Sequence, residues 1–408
     1  MPARKRTTKP SAAPRRLPAV PRQRAVAHLM DLLRIEGLSG RESEVAAAVR
    51  GKLREAGCPR SAVRHDDAHT RITRGEFEVG NLIVLLPGSP GRRREPRRLL
   101  AGHLDTVPLC RGAVPVLRRD RIVAQGDTGL GGDDRTAVAA IVSVLETIFE
   151  HGLDHPPLTV LFTVGEEVGL LGARAVEIAD LGHPELGFNV DGTSPSEITL
   201  GAIGADRWEV DVRGRSAHAG VHPEDGVSAT LIASRAIADV ARQGFFGKVI
   251  KGKQQGTSNV GVLRGGEATN QVTDHVFLRG ESRSHDPRFL DRITATWGEA
   301  FETAAAGVRN AAGVAGNVDF RAERDYEAFR LPDDAPPVVM ALEAARALGL
   351  EPRLKVANGG LDANYFNARG ITTVTIGAGQ RAIHTVEEWV DLGDYVDACQ
   401  LLLRLAVA

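Results

Sequence analysis

Only three of the 408 residues are cysteine, Cys58, Cys110 and Cys399, and no two share a C-x-x-C spacing. An odd, scattered set cannot supply a disulfide framework and suits a reducing compartment, so a cytoplasmic protein is expected. Charge of one sign is also missing. The formal net charge is −1, which leaves no overall electrostatic footprint for nucleic acid. No apolar run approaches the roughly 20 residues that a membrane-spanning helix requires. The opening MPARKRTTKPSAAPRRLPAVPRQR is basic and proline-rich but has no apolar h-region, which excludes a secretory signal. It reads as a disordered tail over residues 1–24. Several catalytic signatures are absent as well: G-x-S-x-G, the P-loop, G-x-G-x-x-G and H-E-x-x-H. These absences argue against a nucleophile-elbow serine hydrolase, a phosphate-cradling loop, a dinucleotide fold and a helical zinc-protease motif.

What is present is a globular composition, 42% hydrophobic and 25% charged, in a chain long enough for two domains. Residues 25–56 repeat apolar positions at helical spacing: Val26, Leu29, Leu32 and Leu33, then Val45, Val49 and Leu53. NLIVLLPG and RRLLAGHLDTV read as strands joined by a solvated hairpin loop. DRTAVAAIVSVLETIFEHG reads as a buried helix ending at Gly152. PLTVLFTVGEE, ELGFNVDG and ITTVTIGAG are continuous apolar runs of strand length. Strands alternating with helices predict an α/β fold, a mostly parallel sheet with both faces covered. The middle differs. DRWEVDVRGRSAHAG, TSNVGVLRGGEATN and DHVFLRGESRS alternate polar and apolar residues, as antiparallel strands with one solvated face do. Helical patterns follow near 226–242 and 287–307. The expected organisation is an α+β domain over 204–327, inserted between the two parts of an α/β domain at 25–203 and 328–408.

The chemistry gathers where the apolar runs stop. In FTVGEEVGLLGA two adjacent carboxylates, Glu166 and Glu167, follow a buried strand. Two like charges at one spot repel and each costs free energy to desolvate. An exposed turn before a helix would explain them without function. Other segments repeat the arrangement. His103 and Asp105 stand two apart in AGHLDTVP, a spacing that puts both on one face of a strand. Asp133 and Asp134 sit in the glycine-rich turn GDTGLGGDDRTAV, where N-capping is the plain alternative. Asp191 closes the strand GFNVDG. His384 precedes Thr385 and Glu388, which have capping-box spacing and suggest a helix start. Acids and histidines at five strand or helix ends match the rule that open α/β sheets build sites at the carboxyl ends of their strands. His, Asp and Glu together form a nitrogen and oxygen donor set suited to Zn²⁺, or less selectively to Mn²⁺ or Co²⁺.

With these segments in order, the chain resembles the di-zinc exopeptidases that include peptidase T, glutamate carboxypeptidase, aminoacylase and succinyl-diaminopimelate desuccinylase. GHLDTVP, GGDDRTAV, GEEVGLLGA, VDG and HTVEEW match the metal and catalytic segments. GRSAHAGVHPEDGVSA, GGEATNQV and GESRSHD match the inserted lid. The peptidase T-like branch is the nearest, because Asp191 stands where many relatives carry Glu. The resemblance implies two divalent metal ions, one held by His103, Asp133 and Asp191 and the other by Asp133, Glu167 and His384. It implies Asp105 as the partner of His103 and Glu166 as the general base. It implies that His218 reaches from the lid of one subunit into the other's site in a homodimer. Asn270, Arg283 and Gly360 become substrate-binding positions. Arg135 departs from the usual Lys after the aspartate pair, and NGGLDAN lacks the arginine of true peptidase T, so strict tripeptide specificity does not follow. The expected reaction is hydrolysis of an amide bond in a short peptide. An N-acyl amino acid substrate, cleaved by a deacylase, or a carboxypeptidase reaction is the alternative, and a binding protein that has lost catalysis the distant one.

Overall fold

The computed structural model describes residues 17–408. Its larger sheet has four parallel strands at its centre, in the order Leu158–Thr163, Arg98–His103, Leu186–Val190, Thr372–Ile376. The margins are antiparallel. Leu82–Leu86 pairs with Leu158–Thr163 on one side, and Glu197–Ala202 pairs with Thr372–Ile376 on the other. Because the four central strands run the same way, their carboxyl ends share one edge. The loops after Thr163, His103, Val190 and Ile376 therefore start side by side.

The continuous apolar runs follow from burial on both faces. Leu100, Val160 and Phe162 point into a core shared with the helices Arg22–Leu33, Ser43–Glu55 and Leu392–Val407. Leu99, Ala101 and Leu161, one residue out of phase, point into a second cluster with Ala173 and Phe366. The helix Gly132–His151 lies between the sheet and two of those helices, and its interior is buried almost all round. Alanine at 137, 139 and 140 permits the close approach, and Gly152 ends the helix at φ +55.

Several expectations are corrected. Residues 1–16 of the expected tail lie outside the described residues. The rest of that segment is partly built into the fold: a helix starts at Arg22, Val20 is buried, and Arg24 pairs with Glu146. Basic residues obscured the helix start, which Pro21 marks at the N-cap. The pattern over 25–56 splits into two helices around Gly37 and Gly40, the latter at φ +86. Leu82–Leu86 and Arg98–His103 do not form a hairpin, because Leu158–Thr163 lies between them. Their linker is not merely solvated either. Arg92, within it, donates from Nη2 to Ala408 O at 2.6 Å, which ties the linker to the end of the last helix.

A second sheet of five antiparallel strands runs in the order Gly247–Lys251, Gln254–Gly265, His275–Ser284, Gly204–Arg213, Asn317–Tyr326. The first and last of these strands were not expected, although Val318, Phe320 and Ala322 of the last alternate with polar residues. Trp208, Val210 and Val212 face the helices Ala229–Arg242 and Pro287–Gly307. Arg207, Glu209 and Asp211 face the other way, which is the period of two expected of a sheet with one solvated face. A small third sheet joins Gln380–Arg381 and Trp389–Asp391 to Arg121–Ala124 and Pro115–Arg118.

Gly280 is the tightest point of the five-stranded sheet. A Cβ there would lie 2.2 Å from the Trp208 ring and 2.4 Å from Asn259 O. Gly280→Ala is expected to destabilise by about 1–3 kcal/mol, the range of overpacking. Gly307→Ala, with open space around it, should stay within about 0.5 kcal/mol. Tryptophan fluorescence during urea unfolding checks this, since Trp208 and Trp297 lie 4.7 Å apart in that core. Equal midpoints for the two variants would contradict the packing argument.

Candidate functional site

The shared strand edge carries the chemistry. Asp105, fully buried, accepts the Glu166 N–H at 3.0 Å, the Glu167 N–H at 3.2 Å and the Ser39 hydroxyl at 2.6 Å. Its Oδ1 also stands 3.4 Å from His103 Nδ1. The strand ends at His103, so Asp105 is not on a strand face as expected, yet the pair meets all the same. The Glu166–Glu167 turn is therefore held by its backbone, leaving both side chains available. Gly165, at φ +62, makes the turn possible, and a Cβ there would lie 2.6 Å from the Phe77 ring.

Asp133 sits between the two histidines. His103 Nε2 is 3.3 Å from its Oδ1 and His384 Nε2 is 3.3 Å from its Oδ2. His384 Nε2 also meets Glu167 Oε1 at 3.0 Å. Donor atoms of His103, Asp133 and Glu167 lie within 4.8 Å of one another, as do those of Asp133, Asp134 and Asp191. Asp134 turns away to bond the His103 N–H at 3.1 Å and Gln380 Nε2 at 2.8 Å.

The helix expected after His384 is absent. Residues 382–388 form a loop between two short strands of the third sheet, and the next helix starts at Leu392, capped by Asp391. Glu388 does other work. Its buried carboxylate accepts the N–H groups of Leu130, Gly131 and Asp133 at 2.7, 2.9 and 3.1 Å. It thereby holds the turn that presents Asp133. Capping-box spacing disguised this role, and Gln380 gave no signal at all. Arg135, buried, donates to the carbonyls of Leu104 and Ile35, bracing the same region from behind.

The electrostatics favour added cations. Burial raises Asp191 and Glu166 well above the usual carboxylate range, and neighbouring carboxylates add to the effect. Burial also raises Glu167, against its bond to His384. Burial opposes charging of His103, but Asp105 and Asp133 hold it well above its ordinary value. Contacts with Asp133 and Glu167 push His384 up to about 10. Acids held neutral and histidines held charged are what an acid-rich cluster does when it lacks positive charge. A divalent ion among these oxygen and nitrogen donors would relieve both, so the residues fit a metal centre. Glu166 makes no side-chain hydrogen bond among the described residues.

These groups open onto a cleft of ≈ 420 Å³, within the range of small-molecule sites. Its far wall comes from the five-stranded sheet through Arg207, Arg283 and Tyr326, and Gly360 lines it too. A Cβ on Gly360 would lie 2.7 Å from the Tyr326 hydroxyl, which explains the glycine. Arg283 is held by Glu281 at 3.0 and 2.9 Å. His218 and Asn270 do not line this cleft. They lie together in exposed loops of the five-stranded sheet, where His218 bridges to Gln271 and Asn270 O accepts the Ala219 N–H at 2.9 Å.

Replacing Glu388 tests the support of the Asp133 turn. Glu388→Gln turns an amide N–H₂ towards backbone donors and should weaken divalent-ion binding by about 10- to 100-fold, the usual cost of disturbing a ligand's support. Competition with a fluorescent chelator measures it; an unchanged affinity would remove Glu388 from the site's framework.

Comparison with known proteins agrees with this geometry. Residues 99–408 match peptidase family M20/M25/M40. The chain is 29% identical to the protein YqjE of Bacillus subtilis over 94% of its own length and 97% of that protein. It is similar to the crystal structure of the aminopeptidase PepT from Bacillus cereus, with 30% identity, a TM-score of 0.80 and coverage of 95% and 98% of the two chains. A tripeptidase from Staphylococcus aureus superposes with a TM-score of 0.82 at 29% identity, over the same shares of each chain. With the order of its motifs, its α/β fold and its clustered donors all accounted for, the chain belongs to peptidase family M20/M25/M40.

Proposed function

We propose that the protein is a two-metal exopeptidase acting on short peptides as an aminopeptidase or tripeptidase. The observation that carries this reading is the meeting of His103, His384, Asp133 and Glu167 beside an unpartnered Glu166. The likeness to an aminopeptidase and a tripeptidase supports it. His103, Asp133 and Asp191 would hold one divalent ion, and Asp133, Glu167 and His384 the other. Zinc suits the mixed donors best, with cobalt or manganese able to substitute. Bound there, such ions would polarise an amide carbonyl and acidify water.

The chain's own residues supply the proton transfers. Glu166 has no side-chain hydrogen bond to break among the described residues, and its burial strengthens its carboxylate as a base. It can take a proton from the attacking water at a carboxylate oxygen and pass it to the leaving nitrogen. Asp105 fixes the ring of His103 and the backbone of Glu166 together. Arg283 and Gly360 line the substrate cleft. A carboxylate-binding Arg283 would also serve the rival reading, an N-acyl amino acid deacylase or carboxypeptidase. Di- and tripeptides blocked at one end or the other separate the two: need for a free amine marks the exopeptidase proposed here, and need for a free carboxylate marks the rival.

Residues 25–203 and 328–408 form the catalytic part in this reading, and 204–327 the lid and dimer contact of a cytoplasmic homodimer. The exposure of His218 and Asn270 away from their own cleft supports a role in a partner's site.

The metal-loaded protein is expected to retain about two divalent ions per chain after desalting. Glu166→Gln should keep them and lose about 10²- to 10⁴-fold in turnover, whereas Glu167→Gln should lose one ion and recover some activity in excess Zn²⁺. Elemental analysis with steady-state kinetics checks both; rescue of Glu166→Gln alone would reverse the two roles. For the shared site, His218→Ala and Glu166→Gln are mixed and allowed to exchange subunits. About a quarter of wild-type activity should return, since roughly half the dimers are mixed and each has one whole site. No recovery, with exchange shown by a mixed-tag pull-down, would exclude the partner role of His218.

A further inference from the structure

Arg207 is a cation of the cleft wall that the proposed mechanism does not use. It lies on the strand Gly204–Arg213, and its register partner Glu281 lies two residues before Arg283 on the neighbouring strand. Cross-strand partners share a face, so Arg207 and Arg283 project to the same side. They are separated by about 7 Å along the sheet, two residues of strand rise. Arg207 Nε donates to Asp325 Oδ2 at 2.5 Å. Asp325 is almost wholly buried and is also contacted by Arg74 Nη1 at 2.8 Å and Arg174 Nη1 at 3.6 Å. Glu323 pairs with Arg74. Three guanidiniums thus share two carboxylates, and the group keeps excess positive charge. The terminal nitrogens of Arg207 have no protein partner among the described residues, so one edge of the guanidinium is anchored and the other is open.

Gly169 shows where that open edge lies. Glycine here, at φ +122, leaves room that a Cβ would fill 3.2 Å from Arg207 Nη2. The Gly169 N–H bonds Glu166 O at 3.0 Å, which closes the turn carrying the two glutamates. Arg207 and Gly169 both line the cleft that holds His103, Asp133 and His384. The guanidinium therefore crosses from the lid sheet to rest against the twin-glutamate turn.

We propose that Arg207 is a specificity-determining residue that binds an acidic side chain of the substrate, so that this enzyme prefers short peptides containing Asp or Glu. The proposal rests on the peptidase reading above. A guanidinium held on one edge by a buried carboxylate loses little freedom on binding, and its open N–H groups suit a carboxylate. The spacing from Arg283 leaves room for the substrate's main chain on one cation while its side chain meets the other.

The test compares Ala-Ala-Ala with Glu-Ala-Ala, Ala-Glu-Ala and Ala-Ala-Glu on the zinc-loaded enzyme. Wild type should favour at least one glutamyl peptide in kcat/KM. In Arg207→Gln the ratio of that peptide to Ala-Ala-Ala should fall about tenfold, the scale of one lost charge-assisted hydrogen bond. Arg207→Lys should restore part of the ratio. A merely structural Arg207 would lower all four peptides together and leave the ratio unmoved, which would overturn the proposal. Should wild type cleave none of the peptides, the peptidase reading fails separately. Calorimetric binding of the same peptides to zinc-loaded Glu166→Gln, with and without Arg207→Gln, then decides this inference: equal affinity for glutamyl and alanyl peptides sinks it, and a preference lost with Arg207 upholds it.

Discussion

The site depends on one buried carboxylate. Asp105 lies behind His103, and it also holds the backbone of Glu166 and Glu167 and the hydroxyl of Ser39. A buried carboxylate is costly unless its oxygens are satisfied, and here the groups that satisfy it belong to three different parts of the site: His103, the twin-glutamate turn and Ser39. The desolvation of one acid is thereby converted into alignment: the imidazole of His103 and the side chains of two glutamates are referred to the same pair of oxygens. Were Asp105 apolar, two backbone N–H groups would be stranded and the turn would lose its reference point.

A second support works from the opposite side. Glu388 gathers three backbone N–H groups of the Asp133 turn, and Gln380 bonds Asp134. Neither residue lies on the large sheet. Gln380 lies on one short strand of the third sheet and Glu388 immediately precedes the other, whose register with Arg121–Ala124 fixes their height over the strand edge. The metal-ligand candidates are thus clamped between the large sheet below and a rim above, which explains how a loop residue as exposed as His384 still reaches both Asp133 and Glu167.

The central strands and the longest helix of the α/β part were legible because burial on nearly every side leaves a continuous apolar run. Leu158–Thr163, Leu186–Val190 and Gly132–His151 each stand as a single pattern in the sequence. The candidate ligands His103, Glu167 and Asp191 were legible for another reason: each stands where a hydrophobic run stops, whereas Asp133 was marked by the glycine-rich turn before its helix. Strand order was not legible. Leu82–Leu86 and Arg98–His103 are consecutive in the chain, yet Leu158–Thr163 separates them, and no local signal records that insertion. Residues that act by holding backbone were equally hidden. Glu388 looked like a helix cap, because its partners are remote in sequence and a hydrogen bond to a backbone group leaves no periodic trace.

The reach of Glu388 has a further consequence. It bonds the N–H of a residue 255 positions earlier in the chain. A ribosome making this protein from its amino end produces Asp133, Glu166 and Glu167 long before Glu388 exists. The twin glutamates can be seated early, since Asp105 and Ser39 precede them, but the Asp133 turn must wait. The centre is therefore completed only after Glu388 has been made, and a nascent chain that stops short of it lacks the hold on the Asp133 turn.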